Sequence, residues 1–125
     1  MSYLRLKFTD DRLPTSSYEL VNNEGVIGIV QIRHKPSHAV DVPSEMNSHL
    51  YIEILPKYRL SGYGREALKL ALLEAKKLGL NELWATHMDD NTGSKKIIIA
   101  NGGLLVDEMF VINLNQKMFK YSFKL

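Results

Sequence analysis

The sequence predicts a single α/β domain built around a mixed β-sheet. Segments with period-two apolar alternation lie near both ends of the chain, and two segments with helical spacing lie between them. The order is antiparallel strands, then strand, helix, strand and helix, then two closing strands, which is typical of an α/β fold. The chain has 125 residues, which is enough for one domain, residues 1–125, to bury a core without metal or disulfide.

The N-terminal part of the chain predicts a short strand followed by a β-hairpin. Residues 3–8 alternate between charged and apolar side chains, and residues 9–17 carry turn formers. Residues 18–22 form a second apolar segment. The turn at residues 23–25 then leads into a run rich in β-branched residues at 26–33.

A long loop and a strand are predicted next. Residues 34–48 hold two prolines, three serines and no periodic pattern, which indicates a loop. In the strand predicted over residues 49–55, Leu50, Ile52 and Ile54 alternate with more polar side chains, so these three are expected to face the core.

The second half of the chain predicts alternating helices and strands. Apolar residues at three-and-four spacing over residues 64–78 predict a helix, and a strand follows at residues 82–87. An Asn-Thr pair then caps a second predicted helix at residues 93–100. The chain closes with two predicted strands, at residues 104–112 and 118–123.

Composition excludes several classes of protein. The formal charge is only +2 and basic residues form no long run, so no nucleic-acid partner is expected. The chain has no cysteine, which excludes disulfides and thiolate metal sites, and we expect no metal ion. The N-terminus lacks the continuous apolar run of a signal peptide or membrane span, so a soluble, cytoplasmic protein with no membrane contact is predicted.

The segment after the predicted 49–55 strand has the features of a phosphate site. Pro56 ends the strand, a basic loop carries Gly62 and Gly64, and a helix follows at once. A helix N-terminus offers unpaired N–H groups and a partial positive charge, and glycines let the backbone approach a ligand closely. Arg59 and Arg65 are suited to pair with phosphate oxygens. The alternative for these residues alone is an ordinary tight turn between strand and helix.

A dinucleotide site is a second interpretation of the same segment. The order Gly62-x-Gly64-x-x-Ala67, with Asp89 or Asp90 downstream, resembles a weak nucleotide-binding fingerprint. That fingerprint requires the strand to run almost directly into the first glycine. Here Pro56 and five further residues intervene, which disfavours an NAD-binding oxidoreductase.

The motif Arg59-Leu-Ser-Gly-Tyr-Gly64 resembles the acetyl-coenzyme-A loop of GNAT-type N-acetyltransferases. Asp90-Asn91-Thr-Gly-Ser94 and Asn101-Gly-Gly103 resemble a second signature of that family. The resemblance runs from about residue 17 to the C-terminus. It implies the GNAT fold, in which the strand before the loop splays from its neighbour. It also implies acetyl-CoA as co-substrate and an amine as acceptor.

The resemblance also implies which residues bind the co-substrate. The backbone of the splayed strand pairs with the pantetheine arm, the glycine loop holds the pyrophosphate, and the Asn of the next helix contacts pantetheine. The expected cofactor-binding residues are Ile52, Ile54, Arg59, Leu60, Ser61, Gly62, Tyr63, Gly64, Arg65, Asn91 and Ser94. Taken alone, Asn91 is better explained as a helix cap, and its spacing from the glycine loop is what favours the ligand contact.

Acetyl transfer to an amine needs a base, an oxyanion donor and a proton for the departing thiolate. Glu53 and His49 lie on one predicted strand face and His87 ends the neighbouring strand, so these three are the candidate bases. Each is also explained as an ordinary surface or strand-end residue. The backbone N–H of Ile54 is the candidate oxyanion donor. In the family, a tyrosine often supplies the thiolate's proton, and the corresponding position here is Ile98.

The N-terminal region is short for the resembled family, which usually carries one or two helices there. We therefore expect either the 34–48 loop or a partner subunit, as in a homodimer, to close the acceptor side. Three functions stay open: an N-acetyltransferase acting on a primary amine, a catalytically silent acyl-CoA-binding module, and more distantly the NAD-binding oxidoreductase. The amine is not readable from the sequence.

Overall fold

The computed structural model describes residues 2–10 and 14–125 and contains two antiparallel sheets. The first sheet has the order β1-β2-β3-β4. Its strands are β1 (Tyr3–Asp10), β2 (Thr15–Asn22), β3 (Gly25–Ser37) and β4 (Ser48–Ile54). Its central strands contribute Tyr18, Leu20, Ile27, Val30 and Ile32 to the buried core, so this sheet packs against the rest of the molecule.

The second sheet has the order β5-β7-β6, so β7 lies in its centre. Its strands are β5 (Glu82–Met88), β6 (Leu104–Val111) and β7 (Gln116–Lys124). Helix α1 (Tyr63–Lys77) connects β4 to β5, and helix α2 (Thr92–Ala100) connects β5 to β6. No helix in the described parts of the chain is long and apolar enough to cross a membrane.

One core joins the two sheets and both helices. The small residues Ala67, Ala71 and Ala75 line the buried stripe of α1, which lets the helix approach the sheet closely. Ile98 of α2 is buried in the same cluster. As predicted, Leu50, Ile52 and Ile54 pack against this core, although each is only partly buried. They lie at the junction between the sheets, where packing is incomplete.

The structure corrects several predicted boundaries. The segment at residues 34–48 is a shorter loop, because β3 extends to Ser37 and a 3₁₀ turn forms at Ser44–Met46. The turn-rich region at residues 9–17 also narrows, because β1 runs to Asp10 and β2 starts at Thr15. Residues 11–13 of that prediction lie outside the described residues. Backbone pairing with neighbouring strands extended these strands beyond their apolar patterns.

The predicted single mixed sheet is in fact divided into two. β4 and β5 lie side by side in extensive contact but share no ladder of backbone hydrogen bonds. The fold class is confirmed, and the division creates an opening between two strands in the middle of the molecule.

Candidate active site

A histidine side chain bridges the gap between β4 and β5. The backbone N–H of Trp84 donates to Nδ1 of His49 at 2.9 Å, and the two rings lie 5.4 Å apart. His49 is buried, and its burial, with smaller contributions from the charges of Lys120 and Arg33, lowers the pKa of its imidazole. Because Nδ1 accepts a hydrogen bond, the neutral ring carries its proton on Nε2. The imidazole takes the place of a strand-to-strand hydrogen bond.

The gap leaves part of the β4 backbone without a strand partner. The N–H of Leu55 donates to the Ile27 carbonyl of β3. Since backbone groups alternate between the two edges of a strand, those of Ile52 and Ile54 point the other way, toward β5. The Ile54 carbonyl accepts a hydrogen bond from Nε of Arg59 at 2.8 Å. The edge that the resemblance assigns to pantetheine therefore has no strand partner among the described residues, although Arg59 occupies its Ile54 carbonyl.

The loop between β4 and α1 has a conformation that glycine favours. Gly62 is the N-cap of α1, with φ +83°. As a glycine it has no side chain that could cap the first amides of the helix. Leu60 also has a positive φ, +61°, and is fully exposed. The amides that open α1 have no partner inside the helix. The loop thus points free N–H groups and the exposed Arg59 and Arg65 in the direction of the gap.

Gly64 serves a different purpose from Gly62. A Cβ at Gly64 would lie 2.6 Å from Cδ1 of Ile97, so the missing side chain lets α2 approach the first turn of α1. Asn101 fastens the two helices by donating to the carbonyls of Arg65 and Ile97. Gly62 thus meets a conformational requirement and Gly64 a packing one, a distinction that the sequence motif does not make.

Asn91 caps α2, as predicted. Its side-chain oxygen accepts from the N–H of Ser94 at 3.1 Å. The residue is exposed and its backbone N–H donates to the Met88 carbonyl at the end of β5. The side-chain oxygen of Asn91 is thus engaged within the protein.

Two adjoining cavities follow the gap, and we call them together the groove. The larger, of about 560 Å³, is lined by Tyr51, Ile52, Glu53, Ile54, Tyr58, Arg59, Leu60, Gly62, Gly64, Arg65, Asn91, Gly93, Ser94, Lys96 and Ile97. The smaller, of about 310 Å³, is lined by Leu50, Tyr51, Ile52, Ile54, Gly64, Leu68, Ala85, Thr86, Asn91, Ser94, Ile97 and Ile98. Of the predicted cofactor residues, only Ser61 and Tyr63 are absent from both linings. Tyr63 instead accepts a hydrogen bond from Asn22.

Glu53 is the candidate base that lies in the groove. Its Oε2 accepts a hydrogen bond of 2.5 Å from the hydroxyl of Tyr51, which stands two residues earlier on the same strand face. This bond, more than burial, raises the pKa of the Tyr51 phenol. The sequence contained this pair, because an i, i+2 spacing on a strand places side chains together. Tyr51 is nevertheless not among the site residues predicted from the sequence.

His87 lies apart from the groove and is enclosed by other residues. It is buried, stacked on Phe119 and Tyr121, with ring centroids 5.1 and 5.4 Å away. Its Nδ1 donates to the Met88 carbonyl at 2.8 Å, so the neutral ring accepts from the Tyr121 hydroxyl at Nε2, at 3.2 Å. Both ring nitrogens are therefore engaged within the protein.

Residues 42–47, which we call the strap, cross the face of the second sheet opposite α2. Val42 and Met46 are buried against Val111 and Met118. Buried Lys120 holds the strap by donating to the Glu45 carbonyl at 3.2 Å and to Oδ1 of Asn47 at 2.7 Å. Its ammonium also lies 3.7 Å from the centre of the Trp84 ring. The sequence offered no local signal for these contacts.

The comparisons with known proteins identify the family. A family model for the acetyltransferase (GNAT) domain matches residues 4–103. The chain belongs to the GNAT acetyltransferase family. The match covers most of the chain, including the β4 to α1 loop and α2. Comparison with curated protein sequences gives no match.

Solved GNAT structures share the fold. An acetyltransferase from Bacillus subtilis in complex with CoA superposes with a TM-score of 0.78 at 12% identity, covering 100% of this chain and 99% of that one. A spermidine N-acetyltransferase variant from Vibrio cholerae gives 0.70 at 16% identity, covering 91% and 67%. A GNAT acetyltransferase from Elizabethkingia anophelis with acetyl-CoA bound gives 0.69 at 17% identity, covering 89% and 76%. At these identities the likeness concerns the fold.

Proposed function

We propose that this chain is an N-acetyltransferase that moves the acetyl group of acetyl-CoA to a primary amine by direct attack in a ternary complex. The observation that carries the proposal is the groove. The edge of β4 that faces the gap, the N-terminus of α1 and the N-terminus of α2 all border these two adjoining cavities. Two solved GNAT relatives hold CoA or acetyl-CoA.

The residues of the groove fit a ligand of the CoA type. At one end, the opening amides of α1 and the guanidinium groups of Arg59 and Arg65 suit a pyrophosphate. At the other end, the backbone of Ile52 and the N–H of Ile54 face the gap where a neighbouring strand would lie, which suits the amides of a pantetheine arm. A bound acetyl-CoA supplies the activated acyl carbon.

Glu53 is the favoured base for the acceptor amine. It lies in the larger cavity, beside the strand edge, and is only partly buried. His49 has Nδ1 committed to Trp84 and His87 has both nitrogens engaged, so each would have to break an internal contact to accept a proton. The N–H of Ile54 remains the candidate oxyanion donor.

The acceptor is proposed only as a primary amine. Several structural neighbours are spermidine N-acetyltransferases, one of them in complex with CoA and spermine, so polyamines head the panel to be tested. The strap covers part of the second sheet on the expected acceptor side, which favours closure by the 34–48 loop. A neighbour is dodecameric, and self-association of this chain stays a prediction.

Titration of acetyl-CoA against a matched pair of glycine variants tests the site. Gly62→Trp and Gly25→Trp both replace a positive-φ glycine that has open space at Cβ, but only Gly62 borders the groove. Both should lose a similar amount of stability, on the order of 1–2 kcal/mol. Only the Gly62 variant should lose affinity by calorimetry, by at least about tenfold. Equal affinity in both variants would remove the site assignment.

Turnover separates the enzyme from the two alternatives. Mass spectrometry of an amine panel with acetyl-CoA should detect an acetylated amine together with free CoA thiol. Tight binding with no product from any amine would favour the silent acyl-CoA-binding module. Binding of NAD but not of CoA would favour the oxidoreductase.

A further inference from the structure

Tyr51 is the one ionisable side chain among the residues that line the smaller cavity. The others are aliphatic or glycine, except for Thr86, Asn91 and Ser94, which are neutral. Tyr51 also lines the larger cavity, where its hydroxyl donates to Glu53. Tyr51 is 41% exposed, so it is not enclosed by neighbouring residues.

Acyl transfer from a thioester to an amine moves one proton overall. The amine loses a proton as its nitrogen bonds to the acyl carbon, and the departing sulfur gains one. An acid near the sulfur and a base near the amine are most useful when they exchange that proton directly. Tyr51 and Glu53 form a hydrogen-bonded acid and base of this kind on one strand face.

We propose that Tyr51 is a catalytic residue that protonates the departing thiolate and is reprotonated by Glu53. This inference rests on the proposed function. In the resting state Tyr51 donates to Glu53. Once Glu53 has taken the amine proton, its carboxylic acid donates to the phenol oxygen instead, and this frees the phenol proton for the sulfur. The C–N bond forms, the C–S bond breaks, and the proton passes from amine to thiol with both side chains restored.

The surroundings keep the phenol protonated until it is needed. The bond to Glu53 raises the pKa of Tyr51, burial and the Glu53 charge add to this, and the Arg59 charge opposes it. Tyr51 also faces Gln31, its partner across the β3 and β4 ladder, which is uncharged. The phenol therefore remains a proton donor through neutral pH.

Ligand binding tests the contact between Tyr51 and sulfur without relying on turnover. Calorimetry should compare CoA with desulfo-CoA in a Glu53→Gln background, at alkaline pH where the CoA thiol ionises. In this background the amide of residue 53 can donate to the phenol oxygen, as a protonated Glu53 would, which frees the phenol proton for the sulfur. A hydrogen bond to a thiolate predicts that adding Tyr51→Phe to this background weakens CoA binding by on the order of tenfold and leaves desulfo-CoA unchanged. Tyr58→Phe removes a hydroxyl from the larger cavity only, and any effect it has should be equal for both ligands.

A second donor tests the proton transfer itself. p-Nitrophenyl acetate releases a phenolate that departs without a proton. Tyr51→Phe should therefore lower kcat with acetyl-CoA by about 10²-fold or more and with p-nitrophenyl acetate by much less. Glu53→Gln should lower both rates, because the amine must lose its proton with either donor.

The outcomes distinguish the two hypotheses. If Tyr51→Phe weakens CoA and desulfo-CoA equally, or slows both donors equally, Tyr51 has only a structural role and the inference is overturned. If the wild-type protein acetylates no amine with either donor, the proposed function itself fails.

Discussion

The two sides of the junction between β4 and β5 differ in the groups that they present: backbone groups on one side and side chains on the other. On the groove side, the proposed binding groups are mainly backbone: the β4 edge at Ile52 and Ile54 and the opening amides of α1. On the strap side, the contacts are made by side chains, chiefly Lys120 and Trp84. A backbone surface needs glycines at fixed spacing, which leaves a readable motif. A side-chain surface assembles distant residues and leaves none.

The strand that carries Glu53 supplies the most sensitive test of the groove side. A Cβ at Gly28 of β3 would lie 2.7 Å from the backbone oxygen of Glu53. Gly28→Ala must therefore push β4 away or twist it, because a backbone oxygen in a ladder cannot rotate aside. We expect the free energy of unfolding, measured in urea, to fall by about 2–3 kcal/mol in this variant. We also expect the variant to bind acetyl-CoA more weakly.

Gly93→Ala is the matched control for Gly28. Gly93 borders the groove directly, but a Cβ there would meet only Asn91 Oδ1, at an ordinary 3.8 Å. Its stability should stay within about 0.5 kcal/mol of the wild type or rise slightly, since alanine favours helix. Similar losses at both glycines would mean that the contact with Glu53 is not the cause.

The strap side depends on a buried charge. Lys120→Met keeps the aliphatic stem but leaves the Glu45 carbonyl and Asn47 Oδ1 without their donor. We expect a loss of about 1–2 kcal/mol, faster hydrogen exchange in residues 42–47, and unchanged acetyl-CoA affinity. Lys124→Met is the control, because among the described residues this exposed lysine on the same strand pairs only with Glu82. Such a surface pair is worth about 1 kcal/mol or less.

Unaltered exchange in the strap of Lys120→Met would contradict this account. It would mean that the apolar contacts of Val42 and Met46 hold the strap without the lysine. An increase in stability would indicate that the cost of burying the ammonium exceeds the value of its contacts.

The stability of the junction itself should depend on pH through His49. This is the smallest of the three effects predicted here for Gly28, Lys120 and His49. Its folded pKa lies below the ordinary value of 6.5. Above pH 6.5 both states are neutral. As the pH falls below 6.5 the unfolded chain binds the proton first, so stability decreases until the folded imidazole is also protonated. Each unit of pKa depression removes about 1.4 kcal/mol.

His49→Asn isolates this contribution. An asparagine oxygen preserves an acceptor for the Trp84 N–H but does not titrate. The difference in unfolding free energy between the two proteins should be constant above pH 6.5 and shift in favour of the variant below it. A constant difference across the whole range would show that His49 titrates normally in the folded protein.

Much of the molecule could be predicted from residue patterns. The order of strands and helices, the Asn91 cap and the position of the glycine loop all followed from local periodicity and local hydrogen bonding. The predicted ends were less accurate where strands were extended by their neighbours, as in β3 up to Ser37. The three candidate bases could not be ranked, because burial and hydrogen-bond partners depend on residues far away in the chain.

The sequence by itself determined the strand-loop-helix segment and hence the groove, because its requirements are local: Gly62 permits a positive φ, and a helix N-terminus presents free amides wherever it occurs. Only the tertiary structure decided how the sheet divides and which side chains serve the opening. His49 meets Trp84 across 35 residues and Lys120 reaches Asn47 across 73. Such pairings depend on how strands and loops pack, and no spacing along the chain encodes them.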